Sequence, residues 1–324
     1  MILIIVAFGV LFRLVSIPAF ANSPHSPVDV YYVDNQAAKL ILEFKNPYFA
    51  GLSVHENQTN LFAYLPMVPI YYAPFYLLGD IRLGNIVADI IIMFSIYWIA
   101  KSFNRGAAFF APLAYAVLPF SIWLTSVAAT NIMIGTSFLT LCLAAILHKK
   151  YMLTAVFLGA ALATNQLVAL SLPLFVYYFW KQHKFPHFLS SLLVSGGIIL
   201  PFIFPDPLKF IYEVIFFQFE RPLQIDGPYS LYSLVYETTG QSLAPWLRVG
   251  LFLVTASIAV LLLMRNRSFF IPSIAALLLL GAFILPVNGF WNYFLPGASL
   301  LCALLPSGIY EATQRLETPS SPSK

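Results

Sequence analysis

Apolar runs of about 17–25 residues follow one another along almost the whole chain, and that succession leaves few folds open. A run of this length matches the hydrocarbon core of a bilayer. There every backbone N–H and C=O must find a partner inside the segment, so such runs predict spanning helices. They fall at roughly 2–20, 82–100, 107–127, 131–147, 152–164, 166–180, 187–204, 247–264, 270–286 and 291–309, with 152–164 the shortest. With 60% hydrophobic and 9% charged residues among 324, the chain has too little polar surface to coat a soluble globule. The expectation is an all-α, polytopic membrane helical bundle of about ten spans over residues 1–317, followed by a flexible Pro/Ser tail at 318–324.

Charge speaks to topology more than to partners. The net charge is +4, and the basic residues sit in short turns rather than in one patch, which argues against nucleic acid. The first run ends in Ala19-Phe20-Ala21, like a signal-peptidase site, but it lacks a positive start and Arg13 interrupts it, so it reads as an uncleaved first span. Cys142 and Cys302 lie inside apolar runs, which argues against a disulfide.

The stretch Tyr64 to Gly79 is apolar but short and broken by Pro66, Pro69 and Pro74. If it does not cross, Lys101, Arg105, Lys149, Lys150, Lys181, Lys184, Arg265 and Arg267 share one side, which positive-inside statistics make cytoplasmic. It is therefore expected to be an in-plane or re-entrant piece on the opposite, outer face. Two large outer segments result, 21–81 and 205–246, longer than plain linkers need to be.

Each segment holds an amphipathic helical pattern. In the first, Val33, Ala37, Leu40, Ile41 and Phe44 share a face, Asp34, Lys39 and Glu43 point away, and Asn46-Pro47 ends the helix. In the second, Leu208, Ile211, Tyr212, Ile215 and Phe219 repeat the spacing, with Gln218, Glu220, Arg221 and Pro222 at the close.

Candidate chemistry clusters here. Asp29, beside Tyr31 and Tyr32, is a carboxylate at a membrane surface with apolar walls, where a raised pKa and general-base work become feasible; the bland alternative is a solvated loop aspartate. Asp34 ranks second, because an acid in a helix's first turn is favoured by the dipole alone. Arg221 at a helix end can grip a phosphate bidentately, or simply snorkel to lipid. Arg13 and Asp89 are ionisable groups within spans, expected to snorkel or to pair, with Asp89 facing the interior. His25, His55 and Glu56 match no compact metal site, and Asn57-Gln58-Thr59 is a weak glycosylation sequon.

Taken together, Arg13, outer Asp29 with Tyr32, a surface helix, Asn46-Pro47-Tyr48, then Tyr64-Leu65-Pro66 and Tyr71-Tyr72-Ala73-Pro74 resemble the GT-C class of polytopic glycosyltransferases. The prokaryotic mannosyltransferase-type members are the most similar, and the likeness covers roughly residues 1–220. It implies a polyprenyl-phosphate sugar as donor, a glycan, lipid or protein acceptor, and an active site on the extracytoplasmic side of the cell membrane. Asp29 would be the base, with Asp34 beside it. Arg221 would hold the donor phosphate, and Tyr31, Tyr32, Gln218 and Arg13 would complete the substrate-binding set. The chain departs from the pattern where many relatives carry a second acid and a lysine: here stand Ala129-Thr130-Asn131 and Asn165-Gln166. The missing acid counts against a bound divalent metal. The function expected is transfer of a hexose, mannose first, with inversion at the anomeric carbon. The alternatives are a non-catalytic subunit of a glycosylation complex, or a lipid or solute transporter, which would show paired charges or broken helices at the midplane and some internal repeat.

Overall fold

The computed structural model describes residues 1–19, 29–55, 58–217, 229–288 and 290–317. The fold is an all-α membrane bundle, and helices form where the apolar runs lie. They are α1 (Ile2–Ala19), α2 (Asp29–Leu42), α3 (Met67–Leu77), α4 (Arg82–Phe103), α5 (Phe110–Ala116), α6 (Pro119–Ile122), α7 (Ile132–Leu147), α8 (Tyr151–Leu162), α9 (Gln166–Ala169) and α10 (Leu172–Lys181). After these come α11 (Phe185–Ile203), α12 (Pro207–Ile211), α13 (Leu231–Thr239), α14 (Pro245–Arg265), α15 (Phe270–Ile284) and α16 (Leu295–Glu317). An antiparallel hairpin, Leu52–His55 with Gln58–Asn60, interrupts the all-helical pattern.

Among the described residues five helices are long and apolar enough to cross a membrane, or six if the bent pair α5 and Pro119–Val127 counts as one. The chain is thus a multi-pass membrane protein, but the count of about ten is not reached. The reason is length: α7 and α8, at 16 and 12 residues, extend only about 24 and 18 Å at 1.5 Å per residue. The run expected at 166–180 breaks into α9 and α10 around Leu170 and Ser171.

Two ends of the bundle differ. At the lysine end, α4, α7 and the start of α8 converge around Lys101, Arg105, His148 and Lys150. Lys184 stands 5.5 Å over the Tyr151 ring there. At the opposite loop end, Met67 N–H donates to Ala163 O at 3.0 Å, and Gln166 Nε2 donates to Ala63 O and Val214 O at 2.9 and 3.0 Å. Helix α3 has 11 residues, about 16 Å, half a hydrocarbon core. It starts against Ala163, and its last turn packs Phe75 onto Gly84 at the head of α4, where Tyr71 Oη also donates to Gly84 O at 2.9 Å. Both ends of α3 therefore stay at the loop end.

The bend between α5 and α6 is 58°. Leu118 is extended there and Pro119 brings no N–H, so carbonyls of the last α5 turn lose their helical partners. Arg13 Nη1 donates to Ala116 O at 3.1 Å, and Ser121 Oγ to Tyr115 O at 3.0 Å. Arg13 also donates through Nη1 to Gly9 O at 3.0 Å and through Nη2 to Ser121 Oγ at 2.8 Å, and its Nε pairs with Asp89. Tyr115 Oη and Thr125 Oγ1 each reach Asp89 at 2.6 Å. Arg13, expected among the substrate-binding residues, is therefore enclosed: it is 0% exposed and each of its three nitrogens has an acceptor inside the bundle.

Removing one partner of such a pair leaves a buried, uncompensated charge, at a cost of about 3–5 kcal/mol. Arg13→Leu is expected to destabilise the detergent-solubilised protein by that amount in thermal unfolding. Arg13→Leu with Asp89→Leu should recover part of it, the Ala116 carbonyl and the Tyr115 and Thr125 hydroxyls remaining unpaired.

Candidate active site at the loop end

Helix α2 brings two acids to the loop end. Asp29 is its first residue, exposed, with Oδ1 accepting from Val30 N–H at 2.9 Å. Asp34, expected to face away from the protein, is instead completely buried, on the face formed with Val33, Ala37 and Ala38. The apolar count missed this because position 34 lies three and four residues from 37 and 38, inside the same stripe. The expected stop also moves: the helix ends at Leu42, and Phe44 at φ +55° closes it, with Lys45 N–H donating to Leu40 O at 2.8 Å and Phe44 N–H to Ile41 O at 3.0 Å.

The Asp34 carboxyl meets the side-chain amide of Asn131, whose Nδ2 lies 3.0 Å from Oδ2 and 3.3 Å from Oδ1. Burial pushes its pKa well above the ordinary carboxylate range, the Asn131 amide pulls the other way, and the Asp29 charge adds a smaller rise. Asn131 is aimed there by unusual backbone. A π-helical turn, Trp123–Val127, follows α6, Ala128 N–H donating to Trp123 O at 2.8 Å; Ala129 then takes φ +54°. For a non-glycine residue that conformation costs about 1–3 kcal/mol, and such strain persists where surroundings over-determine it. Ser126 Oγ and Thr130 Oγ1, either side of the kink, are buried without a hydrogen-bond partner among the described residues. Below them Tyr72 Oη donates to Asn85 Oδ1 at 2.6 Å, and Asn85 Nδ2 to Thr125 O at 3.4 Å.

Tyr31 and Tyr32 lie on the first turn of α2, rings edge to face at 5.5 Å, Tyr32 exposed. Arg82 stands 5.4 Å over the Tyr31 ring, held through Nε by Asp80 at 3.0 and 2.8 Å. The structure thus brings Asp29, Asp34, Tyr31 and Tyr32 to one helix and leaves Arg13 in the bundle. Gln218 and Arg221 lie outside the described residues, as do His25, Glu56 and Asn57. Among the described residues no group of three or more His, Cys, Asp or Glu is placed to hold a metal ion.

Sequence reasoning missed Glu213. It sits in a second π-helical turn, Tyr212–Phe216, which continues α12. The apolar face expected there, Leu208, Ile211, Tyr212 and Ile215, turns outward, where a bilayer can cover it; Phe210, Glu213 and Val214 turn in. Glu213 is 2% exposed, its Oε1 lies 4.0 Å from Lys209 Nζ, and its Oε2 has no partner among the described residues. Burial lifts its pKa to about 7, against the Lys209 charge and the Phe62 backbone N–H. The only sequence signal was an acid among aromatic residues. Asn46-Pro47-Tyr48 seats this segment: Asn46 Nδ2 donates to Phe202 O at 3.2 Å, and the Tyr48 ring lies 4.6 Å from Phe210.

An acid whose pKa rises from 4.5 to about 7 on folding keeps its proton in the folded state where the unfolded chain has lost it. Stability is then fully present below about pH 4.5 and lost as pH climbs to about 7, by about 3 kcal/mol. Thermal midpoints in detergent across pH 4–8 should fall through that window, and Glu213→Gln should flatten the fall. Asp34, raised in the same direction, accounts for slope that remains.

No protein-family model matches the chain, and no curated protein does. Solved structures do. ArnT from Cupriavidus metallidurans bound to undecaprenyl phosphate aligns with a TM-score of 0.65 at 15% identity, over 95% of this chain and 60% of that one. Its apo state gives 0.62 at 15% identity, over 95% and 59%. The archaeal oligosaccharyltransferase AglB from Archaeoglobus fulgidus, in complex with an inhibitory peptide and a dolichol-phosphate, gives 0.57 at 10% identity, over 100% and 52%. The chain thus spans about half to three-fifths of the length of the structures it matches. At these identities the likeness is one of fold, and the fold is that of the GT-C membrane glycosyltransferases.

Proposed function

We propose that the protein is a membrane glycosyltransferase that moves a sugar from a polyprenyl-phosphate donor to an acceptor hydroxyl at its loop end, on the extracytoplasmic side of the cell membrane. Asp29 is the base in this reading. The observation that carries it is the exposed Asp29 carboxylate on the first turn of α2, next to Tyr31 and Tyr32, in a fold shared with structures solved with undecaprenyl phosphate and a dolichol-phosphate. An exposed carboxylate can meet an incoming hydroxyl, whereas Asp34, shut in with Asn131, cannot do so without opening.

A phosphate is already a good leaving group, so the transfer needs charge neutralisation and one base, and no acid. Of the described cations at this end, Lys39 and Lys45 pair with Glu43, Arg82 is held by Asp80, Lys209 faces Glu213, and Arg248 donates to Leu285 O at 2.5 Å. The donor phosphate is assigned to Arg221, with Gln218 beside it. A single displacement inverts the anomeric centre. Mannose is the first hexose to test, and a divalent metal is not required by the groups named.

A second reading is favoured by Asn131. An amide facing the buried Asp34, where many relatives carry a second acid, suits a non-catalytic subunit of a glycosylation complex. The transporter reading has a paired charge beside a broken helix in its favour, but the Arg13–Asp89 pair is closed by helix carbonyls and hydroxyls rather than open to a pathway.

The readings separate in a transfer assay with polyprenyl-phosphate sugars and purified protein. Asp29→Asn is expected to lower kcat by about 10²–10⁴-fold with KM for the donor little changed, and Arg221→Ala to raise that KM by roughly 10–100-fold. Unchanged turnover by Asp29→Asn removes it from the mechanism. Absence of transfer by the native chain, with polyprenyl phosphate still bound, selects the accessory subunit.

A further inference from the structure

We propose that the lysine end carries a binding site for the headgroup of an anionic phospholipid, independent of the site at the loop end. A cavity of about 530 Å³ opens there between the C-terminal ends of α4 and α7 and the start of α8. Lys101, Arg105, His148 and Lys150 line it, and none of its described lining residues is Asp or Glu. Its remaining wall is largely apolar, with Leu153 and Phe157 among the side chains that form it.

The geometry selects a phosphate with a hydrocarbon attached. Helix α8, of 12 residues, begins here without a side-chain cap, so its first-turn N–H groups point out of the helix with no intrahelical acceptor. Lys149 at φ +57° turns the chain sharply between α7 and α8, which leaves Lys150 beside those N–H groups. Three permanent cations and an uncapped helix start would bind any small anion. The apolar wall would not help a free phosphate, but it does accommodate the glycerol and first acyl carbons of a lipid whose headgroup lies at this depth. The two helix C-termini alongside, α4 and α7, place partial negative charge nearby, which the cations offset. A zwitterionic headgroup gains less, because its own cation meets Lys101, Arg105 and Lys150. The occupant is therefore a phospholipid of net negative charge from the leaflet at the lysine end.

The test is titration of delipidated, full-length protein in detergent with phosphatidylglycerol and with phosphatidylcholine of the same acyl chains, bound copies being counted by native mass spectrometry. One phosphatidylglycerol is expected to bind markedly more tightly than phosphatidylcholine, with affinity falling as salt rises. Each cation near the surface accounts for about fivefold, so K101Q/R105Q/K150Q should weaken binding on the order of a hundredfold. K101R/K150R should retain it. K39Q/K45Q, exposed at the other end, should leave it unchanged. Quenching of Trp98, which also lines the cavity, by brominated phosphatidylglycerol reads the same site in the native protein, as the difference from Trp98→Phe. Equal binding of the two lipids, full affinity in the Gln variant, or absent Trp98 quenching overturns the proposal. Displacement of the lipid by equimolar inorganic phosphate also overturns it, in favour of a soluble-anion site.

Discussion

The Arg13–Asp89 pair is the contact on which the loop end rests. An arginine at bilayer depth costs several kcal/mol unless its donors are filled, and a proline-broken helix leaves carbonyls that hydrocarbon cannot satisfy. The two costs offset each other here. The guanidinium fills the Ala116 carbonyl that the bend strands, and Asp89 collects the hydroxyls of Tyr115 and Thr125 from either side of it. The bend is thereby fixed at one angle. Because Thr125 lies in the π-helical turn that follows, the same network sets where Ala129 kinks and where Asn131 meets Asp34.

Much of this was legible from residue order, for a simple reason. Hydrophobic length and proline position act locally, so the ends of α1, α4, α11 and α14 lie within a few residues of the apolar runs. Where the reading failed, a distant partner decided. Asp34 looked solvent-facing because its periodicity was judged on α2 alone, and its partner lies almost a hundred positions away. The stop at Asn46-Pro47 was displaced to Phe44 because a left-handed closure needs no proline, and phenylalanine is a poor advertisement for it. Both π-helical turns carry one residue more than a helical pattern allows. Along 208–215 the apolar residues share one outward face, and the acid lies on the face turned inward.

Those two π turns also bear on which polar side chains are buried at the loop end. An inserted residue widens the helix and redirects side chains, and in this chain one insertion leads to Asn131 and the other carries Glu213. Asp34 and Glu213 are each desolvated and each raised in pKa by burial, opposed by the Asn131 amide in one case and by Lys209 and the Phe62 backbone N–H in the other. Burial raises Tyr48 well above its ordinary range, and Glu213 and Asp34, where ionised, raise it further. Tyr48 remains a neutral donor, its Oη 2.5 Å from Tyr64 O. The two loop-end segments thus meet at groups that burial holds toward the uncharged form.

The same logic separates Asp29 from Asp34. A base has to be ionised and reachable, and desolvation works against both. Asp29 is reachable, being exposed at the first turn of α2. Asp34 is shut in while Asn131 closes over it. Burial favours its neutral form, and the Asn131 amide, which favours the charged form, does not outweigh that. An amide at position 131 permits this without adding a charge of its own. A carboxylate at 131 would have to share a proton with Asp34 or recruit a cation.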